Sequence, residues 1–393
     1  MHRRDFLRLG VGAAIGGGIV RKGVGSRLPE RPKGCCAQTT PDPFSLQFEA
    51  SPPPPAFSVI PVVGDGKWVW TQPPKDQTGY LEPRPYSLSV GIELRGQGNA
   101  KQIKATTTVP MDCPEQKIVE ERIEAQGCEA HVRQLGPFAR QLCLVAPQIA
   151  PKQTISAVAH YKLTVSKQYH KYERDQFPEQ QSIPNDVRKV YLGESPGIQT
   201  RSKEVKKLLG ELSGQAKHPW ELAQQFAAWI PRNIRPQIGS YTSVTAAIEN
   251  HLGDCEEMAA VFVALCRASG IPARLVWIPN HNWAEFYLVD KEGKGHWIPA
   301  HTACYFWFGW TGVHELVLQK GDRTLVPERG RYFRLLEDWV QWGGRRPEVK
   351  YTAELTPEPP KTGEDAGPGA RRKDTSGDWK LVGTHTLDRY ARR

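Results

Sequence analysis

Gly253-Asp254-Cys255-Glu256-Glu257-Met258-Ala259 opens the most informative stretch of the chain and reads as the start of a buried helix. Asp254 is of the type whose side chain caps free amides, and Glu256 and Glu257 suit the positive end of the helix dipole. Gly270-Ile271-Pro272 supplies a Gly-then-Pro stop. Between these ends Met258, Ala259, Val261, Phe262, Val263, Leu265 and Cys266 leave no polar stripe, which predicts a helix at the centre of its domain. Cys255 then stands at the helix N-terminus, where free amides and the dipole favour a thiolate.

Downstream, residues 273–278 form one apolar run, and 283–289 turn through Asp290-Lys291-Glu292-Gly293-Lys294-Gly295 into 296–301. Two antiparallel strands are predicted, and a buried helix against such a sheet makes an α+β arrangement. His281 begins the second strand. With a hairpin centred near Lys291, His281 lies opposite His301, and alternation sends His296 to the other face.

Upstream, Val205, Leu208, Leu209 and Leu212, then Leu222, Phe226, Trp229 and Ile230, follow helical spacing. Before about residue 170 the period is two: Tyr86, Leu88, Val90, Ile92 and Leu94 form one alternating set, and Ile155, Ala157, Ala159, Tyr161, Leu163 and Val165 another. With the turn Arg95-Gly96-Gln97-Gly98 nearby, these predict an all-β sandwich over 58–170, ahead of a mixed domain over 184–344.

The chemistry these residues suggest is nucleophilic. Cys255 is the candidate nucleophile, and His281 the candidate general base, needed because Asp254 and Glu256 oppose a thiolate. His301 is the candidate group behind His281. The Cys255 backbone N–H and a side-chain amide from Gln237 or Asn233 are candidates for holding an oxyanion, and Trp283 for lining the substrate. No cofactor is called for. A zinc site from His281, His301 and Cys304 lacks a second pair of suitably spaced ligands, and no CxxC ribbon is present.

Three blocks in order, from Gly253 to Ala259, then Cys266-Arg267-Ala268-Ser269-Gly270-Ile271-Pro272-Ala273-Arg274, then His281-Asn282-Trp283-Ala284-Glu285, resemble the transglutaminase-like core. The resemblance covers roughly residues 222–301. It implies a papain-like core, a central helix on an antiparallel sheet, in which cysteine attacks an amide carbonyl, histidine shuttles protons and a third polar group orients the histidine. The sandwich in front is similar to that of several bacterial members. The family pattern continues to an Asp where this chain has Trp297-Ile298-Pro299-Ala300-His301, so His301 replaces the expected carboxylate. The implied function is thiol-dependent acyl transfer on a peptide or isopeptide amide of a protein substrate, by a cysteine protease or amidase or a transglutaminase. The alternative is an inactive binding module of the same fold in the cell envelope.

The beginning of the chain reads as an address. Arg3-Arg4-Asp5-Phe6-Leu7-Arg8 precedes a weakly apolar run over residues 9–20 and then Arg21-Lys22, which resembles a twin-arginine export signal over 1–26 and predicts a periplasmic or envelope-associated protein. Residues 27–57, with Pro52 to Pro55, read as a linker. From 345 to 393, Pro, Gly and mixed charge predict a disordered polar tail. Lys and Arg outnumber Asp and Glu by 52 to 42, a net charge of +10 that suits peripheral contact with an anionic envelope. No motif for nucleic acid accompanies it. Export permits disulfides among the eight cysteines, with Cys113 and Cys128 a possible pair.

Overall fold

The computed structural model describes residues 57–59, 68–70 and 76–358, apart from 215, 238, 280, 304–307 and 313. The expected export signal, nearly all of the linker, and residues 359–393 lie outside the described residues. Two short strands, β1 (Phe57–Val59) and β2 (Trp68–Trp70), pair with each other, and then come β3 (Gly79–Arg95), β4 (Ala100–Val109), β5 (Gln116–Gln126), β6 (Glu129–Leu135), β7 (Ala139–Ile149) and β8 (Thr154–Tyr169). The helical part holds α1 (Asn185–Tyr191), α2 (Lys203–Ser213), α3 (Pro219–Asn233), strand β9 (Arg235–Pro236), α4 (Val244–Asn250), β10 (Leu252–Gly253) and α5 (Cys255–Ala268). Strands β11 (Ala273–Ile278), β12 (His281–Val289), β13 (Gly295–Ala300), β14 (Gln319–Lys320), β15 (Thr324–Val326), β16 (Arg331–Phe333), β17 (Trp339–Gly344) and β18 (Glu348–Pro357) follow.

Alternation along β3 and β8 works as the sequence requires. Leu88, Val90, Ile92 and Leu94 are buried with Ile155, Ala157, Ala159, Leu163 and Val165, and meet Ile103, Ala105, Leu142 and Leu144 of β4 and β7 in one apolar core. Two sheets face each other there. One has the order β18-β3-β8-β5, and the other runs β13-β12-β11-β14-β7-β4-β17, with β6 also on β7. The second sheet therefore extends from the strand-rich part into the part that carries α5, through β14, which pairs with both β11 and β7.

The structure corrects the expectation of a disordered polar tail from residue 345. Residues 348–357 are β18, paired along β3 from Glu348 opposite Arg95 to Pro357 opposite Tyr86. Tyr351 is buried and Val349, Ala353 and Leu355 are half-buried, alternating with Lys350, Thr352, Glu354 and Thr356. An edge strand tolerates charge and Pro on its open side, which dilutes the apolar signal and explains the misreading. Likewise β17, at the end of the stretch assigned to the mixed domain, pairs with β4.

Helix α5 is buried on every side, as its sequence predicts: Met258 to Cys266 show no exposure. The helices α2, α3 and α4 cover one side of it, and Leu275, Trp277, Ala284, Phe286, Leu288, Ile298 and Ala300 of the sheet cover the other. The other face of the sheet is covered too, by Met111, Cys113 and Val317 packing on Val276, Ile278 and Trp283. Burial on both faces is why 275–278 is a continuous apolar run, with Arg274 before it buried in an ion pair.

The connection after α5 is short and fixes direction. Ile271 N–H donates to Cys266 O at 2.8 Å, and Arg267 Nε and Nη2 donate to Ala273 O at 3.0 and 2.7 Å, which pins the first residue of β11 to the end of the helix. The 14-residue α5 rises about 21 Å and the 6-residue β11 extends about 20 Å, so β11 returns to the level where the helix began. There β12 starts, with His281 opposite Ile278.

Candidate active site

Cys255 is the first residue of α5 and is 9 % exposed. Asp254 caps the helix by accepting from Glu256 N–H at 2.9 Å, and Glu257 completes a capping box by accepting from Asp254 N–H at 3.0 Å. The second oxygen of Glu257 accepts from Thr242 N–H at 2.9 Å. Glu256 is held by Arg334, whose Nε donates to Oε1 at 2.9 Å. The carboxylates that stand beside the sulfur, and that sequence reasoning set against a thiolate, are thus engaged by amides or by a guanidinium.

His281 is the first residue of β12, at the rim of the sheet, and is 1 % exposed. Its Nε2 lies 3.1 Å from Nε2 of His301, and the two rings stack at 5.0 Å. The expected register is off by two. The pairs Ala284 with Ala300 and Val289 with Gly295 centre the hairpin on Glu292, so continuing the ladder sets Trp283 opposite His301, with His281 as its diagonal neighbour. Moving the centre by one residue shifts the pairing by two and preserves the face, whereas a pairing slip of one would have separated the two rings. His296 points elsewhere, with Nε2 2.6 Å from Asp290 Oδ2.

His301 is fully enclosed. Burial pulls its pKa down to about 3, against a smaller opposing contribution from its own backbone, so the ring is neutral across the ordinary pH range. Trp283, 3 % exposed, stacks on the His301 ring at 5.9 Å. It also packs among Val276, Ile278 and Met111.

The same face carries a charge network that sequence reasoning missed. Glu285 Oε2 accepts from Arg274 Nε at 2.7 Å, and its Oε1 accepts from Lys320 Nζ at 2.8 Å. Lys320 Nζ also lies 2.5 Å from Glu115 of the segment before β5, and the Arg274 guanidinium sits 3.9 Å over Trp297. Burial favours the protonated Glu285, yet Arg274 and Lys320 outweigh it and hold the carboxyl well below the usual carboxylate range. Arg274 and Glu285 stood in the quoted motifs, while Glu115 and Lys320 offered no sequence signal, being brought in by other strands.

Of the two amide candidates, Asn233 has its Nδ2 committed to Trp229 O at 2.8 Å. Gln237 is exposed, and its backbone N–H donates to Gly253 O at 2.8 Å, so the short parallel pair β9–β10 sets residue 237 beside the turn into Cys255. Cys113 and Cys128 do not form the pair considered above. Neither is in a disulfide, nor are Cys143, Cys255 and Cys266, and Cys128 Sγ donates to Ser156 O at 3.2 Å. Cys35, Cys36 and Cys304 lie outside the described residues. Among the described residues no group of three or more His, Cys, Asp or Glu is placed to hold a metal ion.

Comparison with known proteins agrees with the motif order. Residues 206–302 match the sequence profile of the transglutaminase-like superfamily core. Among solved structures, a candidate cysteine protease from Cytophaga hutchinsonii aligns at 17 % identity and a TM-score of 0.49, over 70 % of this chain and 91 % of that one. A candidate protease from Parabacteroides distasonis aligns at 14 % identity and a TM-score of 0.22, over 53 % of this chain and 42 % of that one. No curated protein matches the chain. The segment 206–302, with Cys255 opening its central helix and His281 opening the neighbouring strand, is the part of the chain that matches the transglutaminase-like superfamily.

Proposed function

We propose that the protein is a thiol-dependent acyl-transfer enzyme acting on a peptide or isopeptide amide, with Cys255 as nucleophile and His281 as general base. The observation that carries this is the buried His281–His301 pair at the end of the sheet where α5 begins, with Nε2 of His281 turned to Nε2 of His301 at 3.1 Å. That leaves Nδ1 of His281 as the atom to take the thiol proton, across the rim of the sheet.

In this reading the Cys255 sulfur attacks the amide carbonyl as its proton passes to His281 Nδ1. The Cys255 N–H and the Gln237 side chain hold the oxyanion. Collapse breaks the C–N bond, and the proton on His281 goes to the departing amine. Water or a second amine, deprotonated by His281, then releases the acyl group from Cys255. His301 accepts the Nε2–H of His281 throughout, as a neutral acceptor in the place of an anion, while Trp283 keeps its ring in plane.

Selective alkylation of Cys255 near neutral pH, abolished in His281→Ala, is the expected result. Equal, slow modification of all accessible thiols would overturn the reading in favour of a silent binding module. Incubating the enzyme with a peptide library, with and without an added primary amine, separates the acceptors by the mass of the products. Export is part of the proposal and rests on Arg3 and Arg4. Replacing both by Lys is expected to retain the protein in the cytoplasm, and unchanged fractionation would count against it.

A further inference from the structure

Arg334 follows β16 directly and reaches the first turn of α5, far from it in sequence. Its Nε donates to Glu256 Oε1 at 2.9 Å, with Nη2 on the same oxygen. Nη1 donates to Pro196 O at 3.1 Å, and the guanidinium lies 3.4 Å over the ring of Tyr241, whose hydroxyl donates to Gly197 O at 2.6 Å. The side chains of Arg334 and Glu256 are 16 % and 9 % exposed, so water screens the pair little. Each nitrogen of this guanidinium therefore donates to a fixed acceptor and one face lies on a ring, and one of those partners adjoins Cys255.

Three carboxylates crowd the start of α5. Asp254 and Glu257 accept amide hydrogen bonds. Glu256 is paired with the full positive charge of Arg334. Tyr241 from the segment before α4 and Asp322 after β14 also face this corner. Burial pushes the Tyr241 hydroxyl above its ordinary range, with Arg334 opposing, so it stays neutral. Asp322 is bound by Arg267 and Leu275 N–H.

We propose that Arg334 is an electrostatic positioning residue for Cys255, holding a positive charge on Glu256 so that the start of α5 can carry a thiolate. The role rests on Cys255 being the nucleophile. Arg334 touches no substrate; it acts through Glu256 and through the loop 196–197 that it fastens to the helix.

The test follows carbamidomethylation of Cys255 by iodoacetamide against pH, read by peptide mass spectrometry, in the full chain. Arg334→Gln is expected to move the midpoint of the profile up by about one pH unit, about a tenfold loss of rate at neutral pH. Arg334→Gln with Glu256→Gln is expected to return to the parental midpoint, and Glu256→Gln alone to fall below it. A purely structural role would leave the double variant as impaired as the single one, and that outcome, or an unmoved midpoint in Glu256→Gln, overturns the proposal. The second readout decides even where Arg334→Gln fails to fold. A parental midpoint at about 8.5, the value of an ordinary thiol, would overturn the nucleophile itself and this role with it.

Discussion

Nε2 of His281 and Nε2 of His301 stand 3.1 Å apart in a site closed to solvent, so one imidazole faces another where a carboxylate is the expected partner. A neutral ring accepts a hydrogen bond but adds no negative charge to steady an imidazolium. His301→Asp is therefore expected to raise the fraction of reactive thiolate at Cys255. The predicted gain in alkylation rate at pH 7 is about tenfold, and an unchanged rate would show that residue 301 does not govern His281.

Burial of neutral His301 also ties stability to pH. Its folded pKa, about 3, lies below its unfolded value of about 6.5, so the unfolded chain binds the extra proton between these limits. The stabilisation is complete above about pH 6.5 and is lost as pH falls through the window towards 3, at up to about 1.4 kcal/mol per pH unit. Urea midpoints measured at pH 7.5, 6 and 5 should fall accordingly, and His301→Gln should flatten the trend.

Removing the imidazole that opens β12 is the most direct probe of chemistry. His281→Ala is expected to lower the rate of acyl transfer by about a hundredfold to ten-thousandfold while leaving the melting temperature near that of the parent. Retained turnover in a folded variant would remove His281 from the mechanism.

Arg267 at the end of α5 donates through Nη2 to both oxygens of Asp322, at 2.9 and 2.8 Å, and the two side chains are 2 % and 0 % exposed. Breaking such a pair strands a buried charge. Asp322→Asn is expected to cost about 3 to 5 kcal/mol, and replacing both partners by apolar residues to recover most of it, as chemical denaturation would record.

Gly321 beside this pair has φ +132, and a Cβ there would overlap the ring of Phe138. Gly321→Ala is expected to destabilise by about 2 to 4 kcal/mol, and a loss below about 0.5 kcal/mol would mean that the ring moves aside freely.

The helix of Cys255 was legible because its cap, its apolar interior and its stop all lie within one stretch of sequence, and each is a local effect. The strand of His281 was legible for the same reason, down to the shared face of His281 and His301, because a two-residue error in pairing does not change which face a side chain takes. What lay hidden was brought together over distance. Nothing near Arg334 advertises Glu256, and nothing near Lys320 advertises Glu115 and Glu285, since those partners meet only when separate strands are laid side by side. The edge strand β18 escaped notice because Lys350, Glu354 and Pro357 obey the solubility demands of an edge more than the pattern of a core.

Gln319 and Lys320 are all that carries the large sheet from β7 to β11, and they are anchored from outside the ladder as well. Gln319 donates to the carbonyls of Gly321 and Arg334, and Lys320 joins Glu115 to Glu285. So narrow a splice cannot let one half of the molecule melt while the other stays ordered, because opening it strips a buried ammonium of both its counterions. The strand-rich half and the helix-bearing half should accordingly unfold in one calorimetric transition, and Lys320→Met should divide that single peak in two.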